Sequence, residues 1–188
     1  MAVEARNRSL ATAERVFEGE LSDPGARAAV LVPLFEERGE ARVVLTRRAA
    51  DLRTHPGEVS FPGGRLDAGE APEEGALREA AEEIALDPGS VELVGRLTPL
   101  STLSSGTAIT PVVGVLPSRP RLLANPSEVQ RVFDVALAEL ASMEVFREER
   151  WVVSGSSFPV WFFELDEDTI CGATASILVE LLRLVFEA

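Results

Sequence analysis

The chain has 188 residues, 46% of them apolar, and a formal net charge of −13. That suits one globular domain with a buried core, and it argues against nucleic-acid or anionic-membrane partners, which are held by clusters of Lys and Arg. The only cysteine, Cys171, cannot form an internal disulfide and fits a reducing compartment. With no signal-peptide pattern and no apolar run near roughly 18 residues, a cytoplasmic protein without a membrane span is expected.

In chain order, residues 8–18 carry weak helical periodicity through Leu10, Ala13 and Phe17 and are expected as an N-terminal helical extension. Strands are expected at 28–35 and 41–46, joined by a polar loop at 36–40 that contains Gly39. A Gly- and Pro-containing loop follows at 55–64. The clearest helix then begins at Pro72, with Glu73 and Glu74 in its first turn, runs to about Leu86 and stops at Asp87-Pro88-Gly89. Strands are expected at 91–97, 107–116, 150–153 and 160–165, a loop at 125–128 and a second helix over 136–142. The last helix, about 173–186, has Ile177, Leu178, Leu181, Leu184 and Val185 as its apolar stripe, which reads as core packing, with a dimer contact as the alternative. Cys171, just before that helix, reads as a small buried side chain. The mixed order of elements argues for an α+β or α/β sandwich in one domain over 1–188, with its core at about 28–185.

At ~100° per residue, Leu77, Ala80, Ala81 and Ile84 fall on one face of the 72–86 helix and Glu79, Glu82 and Glu83 on the other. A solvated acidic face is the plain reading. Against it, like charges at these spacings cost roughly 0.2–0.5 kcal/mol per pair. A bound divalent cation removes that cost, and Mg²⁺ prefers hard oxygen ligands with waters and phosphates completing its shell. The Phe61-Pro62-Gly63-Gly64 turn ahead of the helix allows close backbone approach, and a carbonyl there can act as a ligand.

The stretch Gly64–Leu86, GRLDAGEAPEEGALREAAEEIAL, resembles the Nudix box: Gly, five residues, Glu, seven residues, Arg-Glu, then Glu-Glu three residues on. The one departure is Ala85, where that pattern has Gly. The resemblance implies a Nudix fold, an α/β/α sandwich with a mixed β-sheet, and hydrolysis of a diphosphate bond with Mg²⁺ or Mn²⁺. It implies that Glu79, Glu82 and Glu83 hold the metal, with the Gly63 carbonyl as a further ligand. Arg78 pairs with Glu70 to fix the loop, and Glu79 or another acid deprotonates the attacking water.

Upstream, Leu45-Thr46-Arg47-Arg48-Ala49, Arg53, Gly57 and Phe61–Gly64 resemble the extra signature of the coenzyme A diphosphatase branch. So do Leu97–Thr102, Ser104–Gly106, Thr110–Val113 and Gly172–Ala175, although a Trp often found before the last of these is Cys171 here. The implied products are adenosine 3′,5′-bisphosphate and 4′-phosphopantetheine, with acylated and oxidised forms also candidate substrates. Arg47, Arg48, Arg53 and Arg65 are the only dense arginine group near the box, and guanidinium forks match phosphate oxygens. Arg48 and Arg53 are the expected substrate contacts, and ordinary pairing to acids such as Glu58 or Asp67 is the alternative. His55 is a third candidate for phosphate, or a loop hydrogen-bonder. Glu128 is a candidate additional acid. The rival readings are a Nudix hydrolase of ADP-ribose, NADH or nucleoside triphosphates, a non-catalytic nucleotide-sensing module, and a structural domain with a chance acidic helix. A monomer or a homodimer is compatible with the sequence.

Overall fold

A nearly continuous apolar run forms the axis of the fold: β1 (Arg27–Glu37), buried on both faces. The computed structural model describes residues 27–52, 54–102, 106–153 and 156–187. The expected helical extension at 8–18 and the candidate Arg53 lie outside them. Alternation along β1 sends Ala29, Leu31 and Phe35 to one face and Val32, flanked by Val30 and Leu34, to the other. On the first face they meet Ala76, Ala80 and Ile84 of α1 (Pro72–Ile84). On the second, Val32 joins Val43, Leu45 and Val113 against Ile177, Leu178 and Leu181 of α2's successor helix, α3 (Gly172–Phe186); α2 itself is the single turn Leu137–Leu140. Helices on both faces of one sheet make the α/β/α sandwich.

The sheet is mixed. β7 (Ala108–Val115) runs parallel to β1 along one edge, and β5 (Glu92–Arg96) and β6 (Leu100–Ser101) pair antiparallel with β7. The other edge of β1 is divided. β2 (Glu40–Arg48) pairs with it from Leu34 to Glu37, whereas β4 (Gly63–Arg65) pairs with it from Ala28 to Val30. Between these pairings β2 swings away to take β3 (Val59–Ser60) beside Thr46 and Arg47, while β8 (Val129–Ala136) pairs along its other edge from Arg42 to Arg48. The sheet therefore opens into a fork, with Leu31 N–H held by Pro62 O at 2.9 Å at its base. A second sheet of β9 (Phe146–Val153), β10 (Ser156–Glu164) and β11 (Thr169–Ile170) packs on α3 through β10.

Several expected elements are corrected. The 36–40 loop shrinks to Arg38 and Gly39, both at positive φ (56° and 84°), as a two-residue hairpin turn requires. β8 was missed, and it takes up the start of the helix expected at 136–142, which keeps only Leu137–Leu140. β9 and β10 each begin earlier than the strands expected at 150–153 and 160–165. Cys171 is half-buried rather than buried. Of the α3 stripe, Leu184 and Val185 are exposed, together with Phe186. Among the described residues no helix is long and apolar enough to cross a membrane.

α1 ends at Ile84, two residues before Leu86, and its cap is Ala85, the residue that departs from the box. Ala85 sits at φ 53°, ψ 32°, with its N–H on Ala81 O (3.1 Å) and Leu86 N–H on Ala80 O (3.3 Å). This left-handed helix stop is the conformation that favours glycine. Ala85→Gly relieves the Cβ clash and is expected to raise unfolding free energy by about 1 kcal/mol, read as a shifted denaturation midpoint at unchanged slope.

Candidate active site

Arg78 organises the loop that precedes α1. Its Nε and Nη2 donate to Glu70 Oε1 (2.8 Å) and Oε2 (3.0 Å), and Nη2 also donates to Arg65 O at 3.0 Å. Glu70 Oε2 further accepts from Asp67 N–H at 2.8 Å. The Arg78 guanidinium, then the Asp67 N–H, hold the Glu70 carboxyl down at about 2. The remaining terminal nitrogen, Nη1, donates to Glu79 Oε1 (2.9 Å) and reaches Glu82 Oε2 (3.4 Å). Glu82 is exposed, while Glu79 lies under Gly64, where an added Cβ would fall 2.5 Å from the Glu79 carboxyl carbon. Gly64 thus lets the backbone pass directly over a carboxylate.

Glu83 departs from the helical-wheel expectation. It is 4% exposed and points into the base of the fork, not away from the core. Its Oε2 accepts from Gly63 N–H at 3.1 Å, and Arg48 Nη1 stands 4.0 Å from Oε1. Burial pushes its carboxyl up to about 7; the Gly63 N–H and Arg48 oppose this, and the charges of Glu79 and Glu128 add to it. Burial also raises Glu79, against the pull of Arg78, and Glu82 and Glu128 raise it further. The charge of Glu128 therefore bears on both Glu79 and Glu83, and that of Glu79 on Glu83.

Glu128 comes to this place through a loop tied to the end of α1. Leu123 N–H donates to Ile84 O (3.0 Å) and Asn125 N–H to Glu83 O (2.8 Å), satisfying carbonyls the helix leaves open. Asn125 Oδ1 accepts from Ser127 N–H (3.2 Å) and Oγ (2.7 Å), and Glu128 O accepts from Ala49 N–H at 2.9 Å, joining the loop to the end of β2. The sequence offered Asn125-Pro126 as a loop signal, but it carried no sign that this loop caps the acidic helix.

As the side chains stand, no three His, Cys, Asp or Glu groups among the described residues converge into a metal shell, because Glu79 and Glu82 turn onto Arg78 and Glu83 onto Gly63 N–H. The donor set nevertheless suits a hard divalent cation. It consists of carboxylate oxygens, two of them desolvated and mutually repelling, and such a cation needs only one or two carboxylates when phosphate oxygens and water complete its shell.

The expected arginine group is split. Arg47 and Arg48 flank a bulge in β2. Arg47 pairs with Asp168 at 3.1 Å, an acid it shares with Arg131. Arg65 is exposed and meets Arg78 only through its carbonyl. Arg48 faces the fork, and its buried Nε has no hydrogen-bond partner among the described residues. His55, at φ 55°, lies 2.9 Å through Nδ1 from Glu58 Oε2. Arg48, His55 and Glu58 line one rim of a cavity of about 250 Å³.

The family model of the NUDIX domain matches residues 25–153. Among relatives, the uncharacterized Nudix hydrolase NudL of Photorhabdus laumondii is 38% identical over 166 residues, covering 88% of either chain. Among solved structures, the Mycobacterium smegmatis Nudix hydrolase RenU superposes with a TM-score of 0.54 at 21% identity, covering 67% of this chain and 81% of that one. A MutT/nudix family protein from Enterococcus faecalis gives 0.59 at 17% identity, covering 90% of this chain and 65% of that one.

The Glu70–Arg78 pair has a pH signature. Because the folded-state value of Glu70 lies near 2 against an ordinary 4.5, its contribution is complete above 4.5 and is lost as pH falls toward 2. The stability difference between wild type and Arg78→Gln is expected to be constant near neutrality and to shrink through that acid window, as measured by urea unfolding at successive pH values.

Proposed function

The chain belongs to the NUDIX family, and from that membership we propose that it is a Mg²⁺- or Mn²⁺-dependent hydrolase that splits the diphosphate of coenzyme A into adenosine 3′,5′-bisphosphate and 4′-phosphopantetheine. One observation carries the reading: Glu79 and Glu83 are both raised by burial and by the charge of Glu128 in a partly desolvated place, directly across the fork from an Arg48 Nε that has no hydrogen-bond partner among the described residues. Such a place draws positive charge on one side and phosphate on the other. The choice of coenzyme A rests on the 45–64 signature, which supplies both Arg48 and the Phe61–Gly64 turn.

In this reading Glu79, Glu82 and Glu83 are the metal-holding groups, with the Gly63 carbonyl and Glu128 as further oxygens. When bound, the cation lowers the pKa of a water and stabilises the leaving phosphate oxygen. Arg78, held by Glu70, keeps Glu79 on its face of α1 and fixes the loop that carries Gly64. Arg48, beside His55 on the wall of the same cavity, orients the diphosphate by its guanidinium fork, with Arg53, close by in sequence, as a further candidate contact. A carboxylate, Glu79 or an acid beside it, takes the proton of the attacking water. The water oxygen bonds to one phosphorus, the bridging P–O bond breaks, and the leaving phosphate carries away its electron pair.

Incubation with coenzyme A and Mg²⁺ or Mn²⁺, with products identified by mass, tests the proposal. ADP-ribose or NADH cut while coenzyme A stays intact would overturn the substrate. A ligand bound and never consumed would point to a sensing module. Glu79→Gln and Glu83→Gln are each expected to lower turnover by ~10²-fold or more while the protein still melts cooperatively, and wild-type rates in either would remove these residues from the site.

Mn²⁺ binding carries a pH prediction. The Glu83 carboxyl, raised from 4.5 to about 7, must lose its proton to accept a cation. Mn²⁺ affinity is expected to climb as pH rises through that interval, with a flatter climb in Glu83→Gln, measured by titration calorimetry. The same shift makes Glu83 favour the folded state below 4.5 and withdraw that support as pH rises toward 7, so added Mn²⁺ stabilises most at the alkaline end.

A further inference from the structure

Two cavities lie end to end along α3. The nearer, of about 250 Å³, is lined by Arg48 and His55 together with Val59, Phe61, Ala173 and Ile177. The farther, of about 610 Å³, is walled by Leu100, Trp161, Ser176, Ile177, Val179 and Arg183. Ile177 borders both, and taken together they make a two-part trough along α3 from Ala173 in its first turn to Arg183, ~15 Å along the helix axis. The head of the trough adjoins the fork, since Arg48 lines it and also stands 4.0 Å from Glu83.

The trough is built rather than incidental. Thr174 Oγ1 donates to Val59 O at 3.1 Å, locking the start of α3 to β3. Glu180, the acid on the far wall, is occupied by the N–H (2.9 Å) and hydroxyl (2.8 Å) of Thr98. The Arg183 guanidinium lies over the Trp161 ring at 5.9 Å. The far wall thus combines apolar Leu100, Trp161, Ile177 and Val179 with Ser176 and Arg183, and its acid, Glu180, is already paired.

We infer that this trough receives the pantetheine arm of the substrate, an assignment that rests on the function proposed above. The dimethyl-bearing pantoyl head fills the near cavity beside Arg48, and the thiol end reaches the far cavity. The arm matches in length and in chemistry. About twelve chain bonds beyond the phosphate ester, extended like a peptide, span ~14 Å. A slender chain with a branched apolar head and two amides suits a near cavity that sets Val59, Phe61 and Ile177 beside Ser60 and Thr174. The adenosine half, wider than the arm and carrying a 3′-phosphate, lies outside the trough on the other side of the diphosphate. The far cavity, more than twice the volume of the near one, leaves room for an acyl group on the sulfur.

Ser176→Trp obstructs the far cavity from a half-buried helix position, and Ala173→Leu narrows the near one. With Mg²⁺ present, either variant is expected to raise the KM for coenzyme A and the inhibition constant of 4′-phosphopantetheine by about tenfold or more. The inhibition constant of adenosine 3′,5′-bisphosphate is expected to stay at the wild-type value. Thermal melting selects the folded variant, and the one that folds carries the test. Weakened binding of the bisphosphate instead, or of neither product, overturns the trough assignment alone, provided that wild type splits coenzyme A. Absence of coenzyme A turnover by wild type overturns the trough together with the function it rests on.

Discussion

A carboxylate buried where a helix crosses a glycine turn is the constraint on which the rest of the site depends. Glu83 has one backbone N–H at 3.1 Å and one guanidinium at 4.0 Å, and it faces the charges of Glu79 and Glu128. Burying an ionised carboxylate with so little compensation is unfavourable, and here the burden appears as a carboxyl lifted to about 7. The surrounding geometry makes the burial unavoidable. Gly63 is wedged so tightly against β1 that a Cβ would meet Ala29 O at 2.4 Å, and α1 is pressed onto the sheet by Ala76, Ala80 and Ile84. Small residues on both sides bring helix and turn together, and Glu83 lies in the crossing.

The divided edge of β1 sets this local burden beside an opening in the sheet. A strand paired along its whole length would leave no opening. Here β2 departs after Leu34 and β4 takes over only at Val30. Arg48 rides out on the departing strand, and the carboxylates stay with α1 beneath the other branch. Arg78 keeps the acidic side in order by tying together Glu70, Glu79, Glu82 and the Arg65 carbonyl. The two signs of charge are thus carried by different elements and meet only across the gap.

Local chemistry made some of this legible in the sequence. The 72–86 helix could be read because Pro72, the first-turn acids and the Asp87-Pro88-Gly89 stop act within a few residues. The long apolar run of β1 was legible for the same kind of reason. The hairpin was read too loosely because Arg38 adopts positive φ without being glycine. β8 was missed because Val129–Ala136 mixes charged and apolar residues and gains its strand character from pairing with β2 over a long sequence separation. In the site, the wheel separated acidic from apolar positions correctly for Glu82, which is exposed. It failed for Glu83, which borders the apolar face and is drawn inward by Gly63. The arginine group was dense in sequence only; the bulge between Arg47 and Arg48 sends the first to Asp168 and leaves the second at the fork.

The loop that caps α1 has a further consequence, for how this region melts. Its amides at Leu123 and Asn125 close the helix carbonyls of Ile84 and Glu83, while the carbonyl of Glu128 closes the amide of Ala49, the residue after β2. Helix end, loop and strand end therefore share one set of hydrogen bonds, and none of the three can fray without exposing groups on another. In hydrogen-exchange terms they form a single opening unit, so the slow amides of α1 and those of a segment with almost no regular secondary structure are bound to exchange together.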